Sequence, residues 1–313
     1  MVSTFRVGLL LTEWCNAECA HCWFSSGPDR TRCMEAHEAR HYIDQADEIP
    51  SVEWISFTGG EPFFNPEVLL ELVEYASDLG FYTECVTNCF WAEDREKASA
   101  ILDGLVNAGL NAINISSDDF HQRFIPFERV RTCYETARDQ GLKIVIMSTP
   151  EKKGTLDVEE IARRLGRDEV QTVRDGPPKA STVALAVESS FVPVGRGASI
   201  PVKEWNFGDG PLRGECRDVL RDIGITPSGD VLPCCSAAGI VENTVLGNAK
   251  GTNLQTMIEA AEAQPLFRIL SSEGPMRLAE LLEMNVEGRF VNRCHLCHAV
   301  LTHPELPRIL SEL

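Results

Sequence analysis

The first two-thirds of the chain alternates short apolar runs with longer mixed stretches. Runs dense in Val, Ile, Leu and Phe fall at 5–12, 52–58, 81–87, 111–116, 143–148 and 181–188. Runs this short and this apolar predict strands. The stretches between them, near 34–48, 66–79, 94–108, 127–140 and 157–165, predict helices. Gly80, Gly109 and Gly141 each stand between a helix and the next strand, where the left-handed end of a helix favours glycine. Asn65-Pro66 pairs a capping side chain with a proline suited to a first turn. Strand–helix units in series predict a parallel sheet with right-handed crossovers. Six strands are too few for a closed eight-stranded barrel. The pattern alone leaves a partial barrel and a doubly wound sheet both open.

The rhythm then stops. Residues 167–180 predict a loop, and beyond about residue 200 the alternation ends. Residues 223–232 predict a small hairpin about Pro227-Ser228-Gly229-Asp230. Helices are expected near 253–263 and 276–284. A chain of 313 residues has room for one large domain and a smaller one, and the change of rhythm divides it into 1–205 and 206–313.

Charge narrows the partners. With 47 acidic and 29 basic residues the net charge is −18, and no basic footprint for nucleic acid is visible. The acidity fits a neutral or cationic substrate only weakly, and a solubility charge spread over the surface accounts for it better. No apolar run approaches the roughly 18 residues of a membrane span, and no secretory signal is present. A cytoplasmic protein without membrane or nucleic-acid partners is expected. In that compartment twelve cysteines argue for metal or redox chemistry over disulfides.

Three of those cysteines, Cys15, Cys19 and Cys22, crowd the loop after the first strand. Three thiolates on one loop can hold three corners of a cubic iron–sulfur cluster, which leaves one iron open. Gly59-Gly60-Glu61-Pro62 follows the second strand, and glycines there let backbone approach a ligand closely. Further on come Cys216, Cys234 and Cys294-His295-Leu296-Cys297. By softness and number, those four thiolates suit zinc as well as a cluster.

Together these motifs resemble the radical SAM superfamily. The resemblance implies a partial (β/α)6 barrel, α/β in class, followed by a small twitch or SPASM-like iron–sulfur domain. It implies two [4Fe-4S] clusters and S-adenosylmethionine (SAM). One cluster sits on Cys15, Cys19 and Cys22, the other on Cys216, Cys234, Cys294 and Cys297. SAM would be cleaved reductively to a 5′-deoxyadenosyl radical that removes a substrate hydrogen. The family's SAM contacts map to Gly59, Gly60, Glu61, Pro62, Asn88, Ser116, Ser117, Asp118 and Arg196. An electron donor of the flavodoxin or ferredoxin kind is implied. His121, Arg123, Trp14, Trp23 and Trp91 are expected in the cavity, in the core or at its rim.

Five cysteines remain: Cys33, Cys85, Cys89, Cys133 and Cys235. Most are expected as small buried hydrophobes. Cys235 stands apart because it follows a proposed ligand, and the choice between Cys234 and Cys235 as ligand stays open. Cys15-Asn16-Ala17-Glu18-Cys19-Ala20-His21-Cys22 with Phe24 to Pro28, Ser117 to His121, and Pro233-Cys234-Cys235 resemble the YydG-type radical SAM peptide epimerases. That likeness implies a peptide substrate, Cys235 as hydrogen donor and Asp222 as the acid that supports it. The alternatives are an aminoglycoside or aminocyclitol dehydrogenase or epimerase, acting on a small molecule, and a peptide cross-linking enzyme.

Overall fold

The computed structural model describes residues 3–172, 182–189, 191–207 and 210–313. The loop expected over 167–180 is therefore described only as far as Thr172, and Ser181, the start of the expected sixth strand, lies outside the described residues. The barrel region runs β1 (Arg6–Thr12), α1 (Ala36–Asp47), β2 (Trp54–Gly59), α2 (Pro66–Asp78), β3 (Tyr82–Thr87), α3 (Arg95–Asn107), β4 (Leu110–Ser116), α4 (Asp119–Gln122), α5 (Phe127–Asp139), β5 (Lys143–Ser148), α6 (Val158–Leu165), β6 (Val170–Thr172) and β7 (Ala184–Glu188). Helix starts are fixed by side chains. Asn65 accepts from the Val68 amide ahead of Pro66, Asp94 from that of Lys97 and Asp157 from that of Glu160. Each satisfies an amide that the helix itself cannot pair.

β1 to β5 and β7 lie side by side in parallel as the open wall of a partial barrel. β6 adds an outer edge beside β7. It falls inside the expected loop, because three residues are too few to show alternation. On the far side of β1 the chain adds β8 (Asp222–Ile225), parallel to β1, then β9 (Asp230–Leu232) and β10 (Gly247–Asn248), both antiparallel to their neighbours. The hairpin expected at 223–232 thus forms, and Arg6 pairs with Asp222 across the β1–β8 ladder. Helices α7 (Leu254–Glu262), α8 (Pro265–Ser272), α9 (Pro275–Leu281), α10 (Arg293–Leu301) and α11 (Leu306–Ser311) complete the chain.

Strand alternation divides the barrel residues by role. Ile55, Phe57, Cys85, Ile113, Ile115, Ile144 and Ile146 are buried under the helices with Leu72, Leu102, Leu105 and Val130. Each such side chain contributes about 1.5–3 kcal/mol by leaving water. The alternate residues, Ser56, Thr58, Glu84, Val86, Asn114, Ser116 and Met147, line a cavity instead. Residues 223–258 contribute Ile223, Ile225, Val231, Leu254, Met257 and Ile258 to the barrel's core. A second core gathers Val219, Leu220, Leu266, Phe267, Leu270, Leu278, Leu296 and Val300.

Candidate active site

The cavity encloses about 470 Å³, within the range of small-molecule sites. Cys15, Cys19 and Cys22 reach it from the loop after β1. That loop is held by backbone, through the Cys15 amide to the Gly27 carbonyl at 3.2 Å and the Cys22 amide to the Cys19 carbonyl at 3.0 Å. The Asn88 side-chain Nδ2, just past the end of β3, donates to Cys15 Sγ at 3.5 Å and to Asn16 Oδ1 at 2.9 Å. Burial pushes the Cys15 thiol up to about 12 and raises Cys19 as well.

Gly59 and Gly60 pack against the root of this loop. The Gly60 amide donates to the Thr12 carbonyl at 2.6 Å, and the Glu61 amide to the Trp14 carbonyl at 2.9 Å. A Cβ on Gly60 would fall 1.9 Å from the Trp14 oxygen. The Glu61 carboxylate turns into the protein, where it accepts from Thr87 Oγ1 and the Asn88 amide, both at 2.8 Å, and from the Phe63 amide. It ties the ends of β2 and β3 together. Burial pushes its pKa up to about 7 despite those donors.

Gly59, Gly60, Asn88, Ser116 and Asp118 share the cavity wall; Glu61, Pro62, Ser117 and Arg196 stand behind it. Both Asp118 oxygens are occupied. Oδ1 accepts from the His121 amide and faces His121 Nδ1, each at 2.9 Å, and Oδ2 accepts from the Thr149 amide at 3.1 Å. Burial opposes its charge, yet the His121 ring holds it well below the usual carboxylate range. Burial alone would lower His121, and Asp118 reverses this and raises it. His21 stacks on Phe120 with ring centroids 4.5 Å apart, and burial lowers it to about 4. The Arg196 guanidinium is bound to the Ser26 carbonyl and its amide to the Cys22 carbonyl, so it braces the cysteine loop from outside. His121 and Trp23 line the cavity, while Trp91 stacks on Phe63 in the core.

The later cysteines form a second group. Cys216, Cys234 and Cys294 all lie near enough to bear on the Cys297 thiol, which burial raises far above its ordinary value. Tetrahedral zinc would draw such sulfurs to about 3.8 Å apart. Among the described residues the set of ligand atoms lying within 4.8 Å of one another is His21, Asp118 and His121, not either cysteine group. His295 is engaged elsewhere, with Nδ1 accepting from the Val291 amide and the ring edge-on to Trp205 and Phe290.

Cys234 and Cys235 face opposite ways. Cys234 sits with the second group, and Cys235 lines the cavity. Cys235 Sγ lies over Gly8, whose missing side chain makes room for it: a Cβ there would be 2.8 Å away. Its amide donates to the Asp222 carbonyl at 2.6 Å. The Asp222 carboxylate accepts from Arg6 Nε at 2.9 Å. Of the other leftover cysteines, Cys85, Cys89 and Cys133 are core residues and Cys33 is exposed. Arg6 and Glu84 also line the cavity. No motif surrounds them, and only their polarity within apolar strands marks them.

A model of the radical SAM superfamily matches residues 9–167, just over half the chain, and one of an iron–sulfur cluster-binding domain, SPASM, matches residues 216–298. The chain belongs to the radical SAM superfamily. It uses SAM and a [4Fe-4S] cluster, with a further iron–sulfur cluster in its SPASM part. Over 96% of its length it is 24% identical to YydG of Bacillus subtilis (strain 168), a protein named for peptide biosynthesis, and the match covers 92% of YydG. A GTP 3′,8-cyclase of Chlorobaculum tepidum is 34% identical over 36% of this chain and 32% of its own. In structure the chain resembles Streptococcus suis SuiB bound to its precursor peptide SuiA, at 15% identity and TM-score 0.54, covering 94% of this chain and 76% of SuiB. It also resembles BtrN in complex with AdoMet and 2-DOIA, at 15% identity and TM-score 0.53, covering 88% of this chain and 91% of BtrN. These likenesses establish the partial-barrel fold. Among the described residues no helix is long and apolar enough to cross a membrane.

Proposed function

We propose that this radical SAM enzyme epimerises α-carbons in a peptide, with Cys235 as hydrogen donor. The observation that carries the reading is the position of Cys235. It looks into the cavity that the Cys15–Cys22 loop enters, at the level of Gly8. Gly8 lies roughly 13 Å down β1 from Thr12, at about 3.3 Å per residue. A substrate carbon held between the two ends would lose a hydrogen on one side and regain one from the other. The similarity to YydG over nearly the whole chain supports a peptide substrate.

In this reading Cys15, Cys19 and Cys22 hold the SAM-binding cluster, and Cys216, Cys234, Cys294 and Cys297 the auxiliary one. When bound, cluster and SAM together supply the radical that abstracts the substrate hydrogen. The chain's own residues orient and shield. Gly59 and Gly60 offer backbone to SAM, Asn88 and Ser116 offer polar contacts, and Arg196 keeps the cysteine loop in place from behind. Asp118 supports the wall through His121 and the Thr149 amide. Asp222 fixes the Cys235 backbone through its carbonyl. Hydrogen return breaks the Cys235 S–H bond and makes the Cα–H bond. The sulfur, one hydrogen atom short, is restored by one electron from a small electron-carrier protein and one proton from water.

The test is turnover in D₂O with reconstituted enzyme, SAM, reductant and a precursor peptide. Product heavier by one mass unit, with one 5′-deoxyadenosine per event, is expected. In Cys235→Ala, SAM cleavage should persist while inversion stops. Full inversion by Cys235→Ala, or product lighter by two units, overturns the reading.

A further inference from the structure

The floor of the cavity holds charge that the steps above leave unused. Arg6 is shared between two carboxylates, donating through Nη1 to Glu84 Oε1 at 2.8 Å and through Nε to Asp222 Oδ1 at 2.9 Å. One cation therefore faces two anions. The Glu84 side chain is 8% exposed, and its second oxygen has no hydrogen-bond partner among the described residues. Ser56 pairs with Glu84 across the β2–β3 ladder, Asn114 stands on the next strand, and all three line the cavity.

Among the described residues no other charge on the wall balances the surplus. Asp118 is matched by His121, and Arg196 stands behind the wall at the cysteine-loop end, where its charge bears on Cys19 and His21. Glu84 lies four residues before Asn88, which directly follows the end of the same strand, roughly 13 Å away at about 3.3 Å per residue. Asn88 is the residue that touches Cys15, so the floor is far from the iron end. A carboxylate withdrawn from water and only half compensated favours a cation with donors to spare.

We infer that the floor is a specificity pocket for a cationic side chain of the peptide, a Lys or Arg at or beside the residue acted on. Glu84 takes the charge, and Ser56 and Asn114 complete the hydrogen bonds of the ammonium or guanidinium. The inference rests on the peptide reading above, but its test needs no turnover.

Reconstituted holoenzyme with SAM and no reductant would be titrated with Gly-Gly-Xaa-Gly-Gly pentapeptides, Xaa being Lys, Arg, Leu or Glu, and with 2-deoxystreptamine. The Lys and Arg peptides should bind at least roughly tenfold tighter than the Leu peptide, and Glu84→Gln should abolish that preference with SAM affinity unchanged. Since Glu84→Gln also loosens Arg6, Asn114→Leu serves as the second variant. It should weaken the Lys peptide a few-fold, leave the Leu peptide unchanged and leave the Arg6 pairs intact. Four results overturn the inference: a Leu or Glu peptide bound as tightly as Lys, no peptide bound at all, all peptides weakened equally in both variants, or Glu84-dependent binding by 2-deoxystreptamine alone. If the Lys preference holds while the D₂O product is not heavier by one unit, epimerisation fails and the pocket stands.

Discussion

Replacing Gly60 by Ala tests whether the glycine pair holds the cysteine loop. The new Cβ would meet the Trp14 carbonyl oxygen at 1.9 Å and its carbon at 2.6 Å, where contacts below 3.0 Å essentially never occur, so the loop must recede by about 1.1 Å. That movement strains two backbone hydrogen bonds, Gly60 to Thr12 and Glu61 to Trp14, each worth about 1 kcal/mol. Trp14 immediately precedes Cys15, so the shift reaches the first cysteine directly. A misplacement of about 1 Å can cost roughly 100-fold in rate, or about 2.7 kcal/mol of barrier. The control is Gly80→Ala. Its φ of +94° also disfavours a side chain, but nothing lies within 4 Å. It should cost about 1 kcal/mol of stability and leave SAM cleavage alone. The assay is 5′-deoxyadenosine formation per reconstituted cluster, with urea unfolding of both variants alongside. SAM cleavage by Gly60→Ala within about threefold of wild type, or an equal loss in Gly80→Ala, would refute the reasoning.

Three further outcomes are expected. Asp118→Asn leaves His121 without its counter-charge and should cost about 3 kcal/mol in urea unfolding, with the His121 pKa falling in an NMR titration. Cys297→Ser should reduce iron from about eight to about four per chain; zinc at that site would contradict the assignment. Glu61 is raised in the fold from 4.5 to about 7, so its proton favours the folded state. Stability measured against Glu61→Gln should fall as pH climbs through that window, by on the order of 3 kcal/mol in all, and a rise would contradict it.

Much of the barrel was legible because its strands are buried on one face and helix-covered, which leaves apolar runs with glycine stops at Gly80, Gly109 and Gly141. Cys15, Cys19 and Cys22 were legible because one loop carries them all. Contacts between distant segments were not. Nothing near Arg6 in sequence announces Asp222 or Glu84, although the ladder brings all three together. Glu61 and Arg196 read as SAM contacts by their motifs. In the fold their side chains are committed to Thr87 and Asn88 and to Ser26, and such commitments leave no trace in spacing. β6, at three residues, falls below the length at which alternation can be seen.

β8 has a consequence for how this protein can be cut. It hydrogen-bonds along β1 from Arg6 to Leu9, on the side away from β2. A chain ending near residue 205 would bare that whole margin of β1, a strand whose interior is Val7, Gly8, Leu9 and Leu10. Unpaired amides and carbonyls beside such residues are a template for another chain. Severing the C-terminal part would therefore yield a self-associating sheet, not a minimal enzyme awaiting its missing module.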